Sequence, residues 1–271
     1  MEWSKLKNII LLILLITNLF LLFLVGYRSW NTARYETGAR SDALTVLAKN
    51  GIEMDKEALP RDALLSTASV SRDREREAEL VAPLLGTVSE QSLGGGQFLY
   101  SGEKGQVYFR SRGEFAVSLE PGAYPLSGSM ADHARDVLSR MGFNGMAASV
   151  EGTAEEGSVL LIQLWEGAPV LNCSVKAVYQ NGSLVSASGT RLAGTPDVTG
   201  TAELSAVTGL LRFLELFTDT GDVCNRVNVM RGGYLLSTGP SDPATLTPVW
   251  YFETDTGAYT LDMTLNQLRK R

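Results

Sequence analysis

The sequence is poor in the residues that carry most enzyme chemistry. Its 271 residues include one histidine and two cysteines. One histidine cannot build a multi-histidine zinc site, and no carboxylate or cysteine cluster around His133 has metal-ligand spacing. A G-x-S-x-G nucleophile elbow is also lacking. Glu155-Glu156 is an acidic pair, but it falls in an expected hairpin loop, which argues against a glycosidase dyad. Gly94-Gly95-Gly96 has no following helix and no Lys-Ser/Thr, so it is not a phosphate cradle. Positive charge is short as well: 24 Lys and Arg against 30 Asp and Glu leave −6. That argues against a nucleic-acid binder, which needs cations to neutralise phosphates. Glycine (27) and proline (9) are near average usage, which excludes collagen-like and wholly disordered chains. The reading is a binding or interaction module, with no catalytic residues, metal or cofactor expected.

What is present is concentrated at the start. From Asn8 to Tyr27 there are 20 uncharged residues, 16 of them apolar. As a helix this run spans about 30 Å, the hydrocarbon thickness of a bilayer. Trp3 precedes it, and Tyr27 and Trp30 follow, residue types that favour the headgroup level. A cleaved signal peptide has a shorter core and a small-residue cleavage site. Here the run ends Val25-Gly26-Tyr27-Arg28-Ser29-Trp30, which fits an uncleaved anchor better. Residues 1–7 are expected as a short cytoplasmic tail and 8–27 as a membrane helix. The rest, carrying −7, is then most simply the exported part. Leu11, Leu15, Asn18 and Leu22 share one helix face. That face has two readings: a docking surface for a partner's membrane helix, or an Asn satisfied by its own helix backbone.

Beyond the run, residues 28–62 read as a helix stopped at Gly51 and a connector. A lobe over 63–127 opens with a strand at 63–70. A helix from Arg72 to Leu85 follows, whose mixed-sign charges suggest a solvated face. Strands are expected over 98–101, 107–111 and 114–119. Pro121, Gly122, Pro125 and Gly128 form the clearest linker signal. The lobe over 128–271 contains two similar units, 129–192 and 201–263, each a helix followed by a meander. Asn181-Gly182 is the strongest short hairpin signal. In the second unit the strands are expected over 223–231, 234–238, 247–254 and 258–263. The fold class is therefore α+β: one N-terminal transmembrane helix, then antiparallel sheets with packed helices. His133, beside Asp132 and Arg135, is expected to be exposed or lightly paired. Cys173 and Cys224 suit either one disulfide or separate burial.

The opening Met1-Glu2-Trp3-Ser4-Lys5-Leu6-Lys7, running into the apolar stretch, resembles the YycI regulatory proteins of Gram-positive bacteria. Ala43 to Ile52 followed by Leu59-Pro60 is similar to that family's helix, Gly-Ile and Leu-Pro connector. Leu246-Thr247-Pro248-Val249-Trp250-Tyr251-Phe252 with Thr256-Gly257-Ala258-Tyr259 is similar to its closing hairpin. A Pro-x-Trp hairpin is shared with YycH and PepSY-type modules. The resemblance implies a single-pass protein of the cell membrane, with its N-terminus cytoplasmic and its domain outside. Its partners would be the bilayer, a YycH-like protein and a sensor histidine kinase of the YycG type that controls cell-wall metabolism. Contact through Asn18, Leu11, Leu15 and Leu22 and through the outer domain would adjust the kinase. The alternative is a PepSY-like module that inhibits a protease or holds a peptide.

Overall fold

The computed structural model describes residues 14, 15, 17–23, 37–110, 112–237 and 243–271. Sheet dominates: 47% of these residues lie in strands and 25% in helices. This corrects the expected architecture of a transmembrane helix with α+β lobes. Among the described residues no helix is long and apolar enough to cross a membrane. Residues 14, 15 and 17–23 are helical. The rest of the expected 8–27 span lies outside the described residues.

Helix α1 (residues 37–49) turns Ala43 and Leu47 inward. Gly51, at φ 79°, ends it. The Ile52 N–H reaches back to the Leu47 carbonyl at 3.2 Å and that of Gly51 to Ala48 at 3.0 Å, the pattern that satisfies a helix's last carbonyls. A short strand β1 (Glu53–Met54) and a 3-10 turn follow. Arg40 fastens this connector to α1 by donating to the Pro60 carbonyl at 2.6 Å and to that of Leu59.

Strand β2 (Ala63–Val70) leads to α2 (Glu77–Leu85), which starts five residues later than expected. The strands β3 (Ser89–Gly94), β4 (Gln97–Gly102), β5 (Gly105–Phe109) and β6 (Glu114–Leu119) then form a meander. Helix α3 (Met130–Ser139) is capped by the Ser129 hydroxyl, which accepts the Asp132 N–H. It precedes β7 (Gly145–Gly152), β8 (Glu156–Trp165), β9 (Ala168–Gln180) and β10 (Ser183–Thr190). Asn181 and Gly182 take φ 49° and 67°, the paired positive angles of a type I′ hairpin turn. Next are β11 (Asp197–Leu204) and α4 (Ala206–Thr220), capped by Ser205 and ended by Gly221. Then come β12 (Arg226–Leu236), β13 (Ala244–Thr254), β14 (Gly257–Asp262) and β15 (Gln267–Lys270). The strands expected over 223–231 and 234–238 are thus one strand. Gly232-Gly233 looks like a break, but it marks close packing: a Cβ on Gly233 would lie 2.9 Å from the Pro169 carbonyl oxygen.

The strands connect as β11-β2-β13-β12-β9-β10-β6-β5-β4-β3, with β7-β8 attached to β9 and β14-β15 to β13. The order divides at the β12–β9 contact into a first sheet of β1, β2 and β11–β15 and a second of β3–β10, and residues 63–127 and 128–271 share both, since β2 lies between β11 and β13, and β6 beside β10. The segment 120–128 is pinned to the sheet. Tyr124 is buried and donates to the Leu84 carbonyl at a helix end, and Leu126 N–H donates to Gly182 at 2.8 Å. Helices α2 and α3 cover one core, built on β4–β6 and β8–β10. Helices α1 and α4 cover a second, with Trp250, Phe252 and Tyr259. A third, small cluster around Cys173, Tyr234 and Leu246 lies where the sheets meet.

At that junction β9 and β12 are paired in parallel at one register position, Tyr234 opposite Val170. The Asn172 amide extends the pairing. Its Nδ2 donates to the Leu236 carbonyl at 2.7 Å, and its Oδ1 accepts the Leu236 N–H at 2.9 Å. Asn172→Ala leaves both backbone groups of Leu236 without these partners. We expect a loss of about 1–2 kcal/mol, or several degrees of melting temperature for a chain of this size. An unchanged thermal melt would show that water replaces the amide.

His133 is buried, contrary to expectation, because its helix face is the one that docks on β9. Its Nδ1 and the Tyr179 hydroxyl share a hydrogen bond of 2.8 Å, and Tyr179 also reaches the Met130 carbonyl at 3.2 Å. Burial lowers the His133 pKa. Asp136 opposes that shift and Arg140 adds to it. The unfolded chain, with a histidine near pH 6.5, therefore binds the proton more readily than the native state. Stability is full above that pH and falls as pH drops through it. Thermal melts from about pH 7.5 to about pH 5 should show this decline, and His133→Gln should flatten it.

Candidate functional site

The residues with catalytic potential have structural roles. His133 holds α3 to β9, as described above. Cys173 and Cys224 are free and buried in different clusters. Burial pushes their thiols up to about 12 and about 11, so neither is a ready nucleophile. Among the described residues no group of three His, Cys, Asp or Glu is placed to hold a metal.

On the N-terminal face, the Asn18 Nδ2 donates to the Leu14 carbonyl at 2.9 Å. Its amide is satisfied one turn back in its own helix. Leu15 and Leu22 are exposed. Leu11 and the expected interface anchors Trp3, Tyr27 and Trp30 lie outside the described residues.

The charged run is only partly a solvated face: Glu75, Arg76 and Glu79 are exposed, but Glu77 is buried. Arg72 grips Glu77 with two bonds, Nε to Oε1 at 2.6 Å and Nη2 to Oε2 at 3.0 Å. Glu77 is 2% exposed, and the Tyr100 hydroxyl donates to it at 3.1 Å. Burial first, and the Glu77 charge next, hold the Tyr100 hydroxyl well above its ordinary pKa. The Arg74 guanidinium lies 3.7 Å over the Phe98 ring and pairs with Glu90. These contacts lie in the stretch ahead of α2, where residues 72–74 have no regular structure and 75–76 form a turn.

A second buried arginine lies nearby. Arg191 follows β10 and is 8% exposed. Its backbone N–H donates to the Gly113 carbonyl at 2.9 Å. The approach requires glycine at 113, because a Cβ there would meet the Arg191 carbonyl oxygen at 2.1 Å. The Arg191 guanidinium stacks 4.5 Å from the Phe109 centroid, and Nη1 donates to the Leu192 carbonyl at 3.0 Å. Its Nε is sealed and has no hydrogen-bond partner. Burial lowers its pKa; Glu77 counters the shift and Arg72 adds to it. Arg191 lines a cleft of about 610 Å³ between α2, the end of α3, the end of β8 and residues 191–196. Gln163 braces the floor, its Oε1 accepting the Leu192 N–H at 2.8 Å. Nothing in the sequence marked Arg191, which sits beyond a strand with no motif around it.

The other exposed feature is the edge of the sheet. Among the described residues β7 pairs only with β8. Seven of its eight residues are exposed, including Met146 and Val150, and Glu151 is its only charge. Two other edges carry more charge, Asp197 and Glu203 on β11 and Arg269 and Lys270 on β15, while the shorter β3 edge, six residues long, carries only Glu90. Charges on an edge deter pairing with another chain, and β7 largely lacks them.

No protein-family model matches the sequence, and no curated protein matches it. Two solved structures are distantly similar. An uncharacterized protein from Eubacterium rectale aligns at 11% identity and a TM-score of 0.46, over 81% of this chain and 85% of that one. The C-terminal domain of Bacillus megaterium YpeB aligns at 12% identity and a TM-score of 0.33, over 74% of this chain and 98% of that one. At these scores neither likeness assigns a fold family or a function, and the candidate sites stand on their own geometry.

Proposed function

We propose that this chain is a non-catalytic regulatory module that holds a segment of a partner protein by strand addition at β7. The observation that carries this reading is the open β7 edge, eight residues long with one charge. Strand addition draws affinity from main-chain hydrogen bonds and specificity from alternate side chains. Met146, Val150 and nearby Leu160 of β8 are exposed apolar residues available to such a segment. The resemblance of the N-terminal residues to YycI proteins names the partner class: a sensor histidine kinase of the YycG type, together with a YycH-like protein, at the outer face of the cell membrane. Regulation then requires only that the bound segment favours one kinase state, and a coupling of about 1–3 kcal/mol shifts activity about 5–150-fold. The Pro-x-Trp hairpin, Pro248 to Trp250, supports a second reading, in which the segment held at β7 belongs to a protease that is thereby inhibited.

Cross-linked pull-down from membranes with identification of partners separates the two readings. We expect a sensor histidine kinase, and we expect the Met146→Lys/Val150→Lys variant to recover at least tenfold less of it with an unchanged melting temperature. Equal recovery by the variant would remove β7 as the working surface. Recovery of a protease that the purified domain inhibits would favour the second reading.

A further inference from the structure

The cleft beside Arg191 is separate in its logic from the β7 edge and does not depend on it. Arg76, Arg140 and Arg191 line it, against Asp73 and Glu79. Two of the arginines are engaged elsewhere: Arg76 faces Asp73 at 3.9 Å, and Arg140 faces Asp136 at 3.4 Å. Both are partly solvated, so their charges are screened. Arg191 differs. It is more than nine-tenths buried, it has no carboxylate within ion-pair distance among the described residues, and its one side-chain hydrogen bond goes from Nη1 to the neutral Leu192 carbonyl. Glu77, the nearest buried carboxylate, is already held by Arg72 and Tyr100. A buried guanidinium without an anion is costly, and an oxyanion arriving from solvent relieves that cost through charge-assisted hydrogen bonds.

The surroundings narrow the ligand. The lining carries one cation more than it has anions, which suits a single negative charge and disfavours a polyanion. The remaining wall is mixed: Leu80, Pro83, Trp165 and Leu192 give it apolar patches beside the polar Asn144 and Gln163. A volume of about 610 Å³ is within the range of small-molecule sites. We propose that this cleft binds a small organic monocarboxylate with an apolar body, its carboxylate on Arg191 and its apolar part against Trp165 and Leu192.

NMR titration of the full chain tests this with N-acetyl-leucine, its uncharged amide N-acetyl-leucinamide, and inorganic phosphate. Shifts should appear at residues 191–196 and Trp165 with N-acetyl-leucine, and the amide should bind at least about tenfold more weakly, the usual worth of a hydrogen bond to a charged group. Arg191→Gln should weaken N-acetyl-leucine by a similar factor. Thr195→Trp, at an exposed position on the cleft wall, should block it while leaving Arg191 in place, and it serves where Arg191→Gln fails to fold. Absence of binding, equal binding of acid and amide, tighter binding of phosphate, or full binding by Thr195→Trp would each overturn the proposal. None of these outcomes bears on the β7 edge, whose test uses different residues and a protein partner.

Discussion

Asn172 does with a side chain what a strand does with its backbone. At the place where β9 and β12 meet, main-chain pairing extends to one register position, and the Asn172 amide supplies the next donor and acceptor to Leu236. This makes β9 a member of both sheets. Its first residues lie beside β12 over the junction cluster, and its last run between β8 and β10 under α3. Val170 and Cys173 face one core, and Val175, Ala177 and Tyr179 face another. A strand that serves two cores commits them to fold together, because neither sheet keeps its full set of partners without it.

The end of the second sheet is governed by a shortage of negative charge. Arg72 and Arg191 are both drawn below the surface, and one buried carboxylate, Glu77, stands between them. Arg72 takes it in a two-bond grip. Arg191 feels its field but makes no bond to it, and relies on the Phe109 ring and the Leu192 carbonyl instead. The cleft opens beside the arginine that is left over. Packing and electrostatics thus work against each other at this point, and such local conflict is typical of places where a fold is shaped by more than stability.

The sequence announced features with a strong local chemistry. The Asn181-Gly182 turn, the serine starting α3, the Gly51 stop of α1 and the strand over 63–70 are all legible because backbone angles or hydrogen-bond donors leave few alternatives. Three kinds of feature were not. Edge strands β3 and β11 have little apolar alternation, since they bury almost nothing. Gly232-Gly233 reads as a break until the Pro169 carbonyl is seen against it. The charged run at 72–79 reads as solvated because burial of Glu77 depends on Tyr100, which is distant in sequence. Within the N-terminal apolar run, residues 14, 15 and 17–23 are helical, and the rest of 8–27 lies outside the described residues. Of the sites, the β7 edge was foreshadowed only by the reading of a peptide-holding module, and the Arg191 cleft had no signal, because its parts come from four distant segments.

The two cysteines have a consequence for where such a chain can work. Each thiol is sealed in its own apolar cluster and shifted far toward the protonated form. The fold therefore contains no bond that reducing surroundings could break and no accessible thiolate that oxidising surroundings could consume. Neither cysteine ties the described fold to a disulfide.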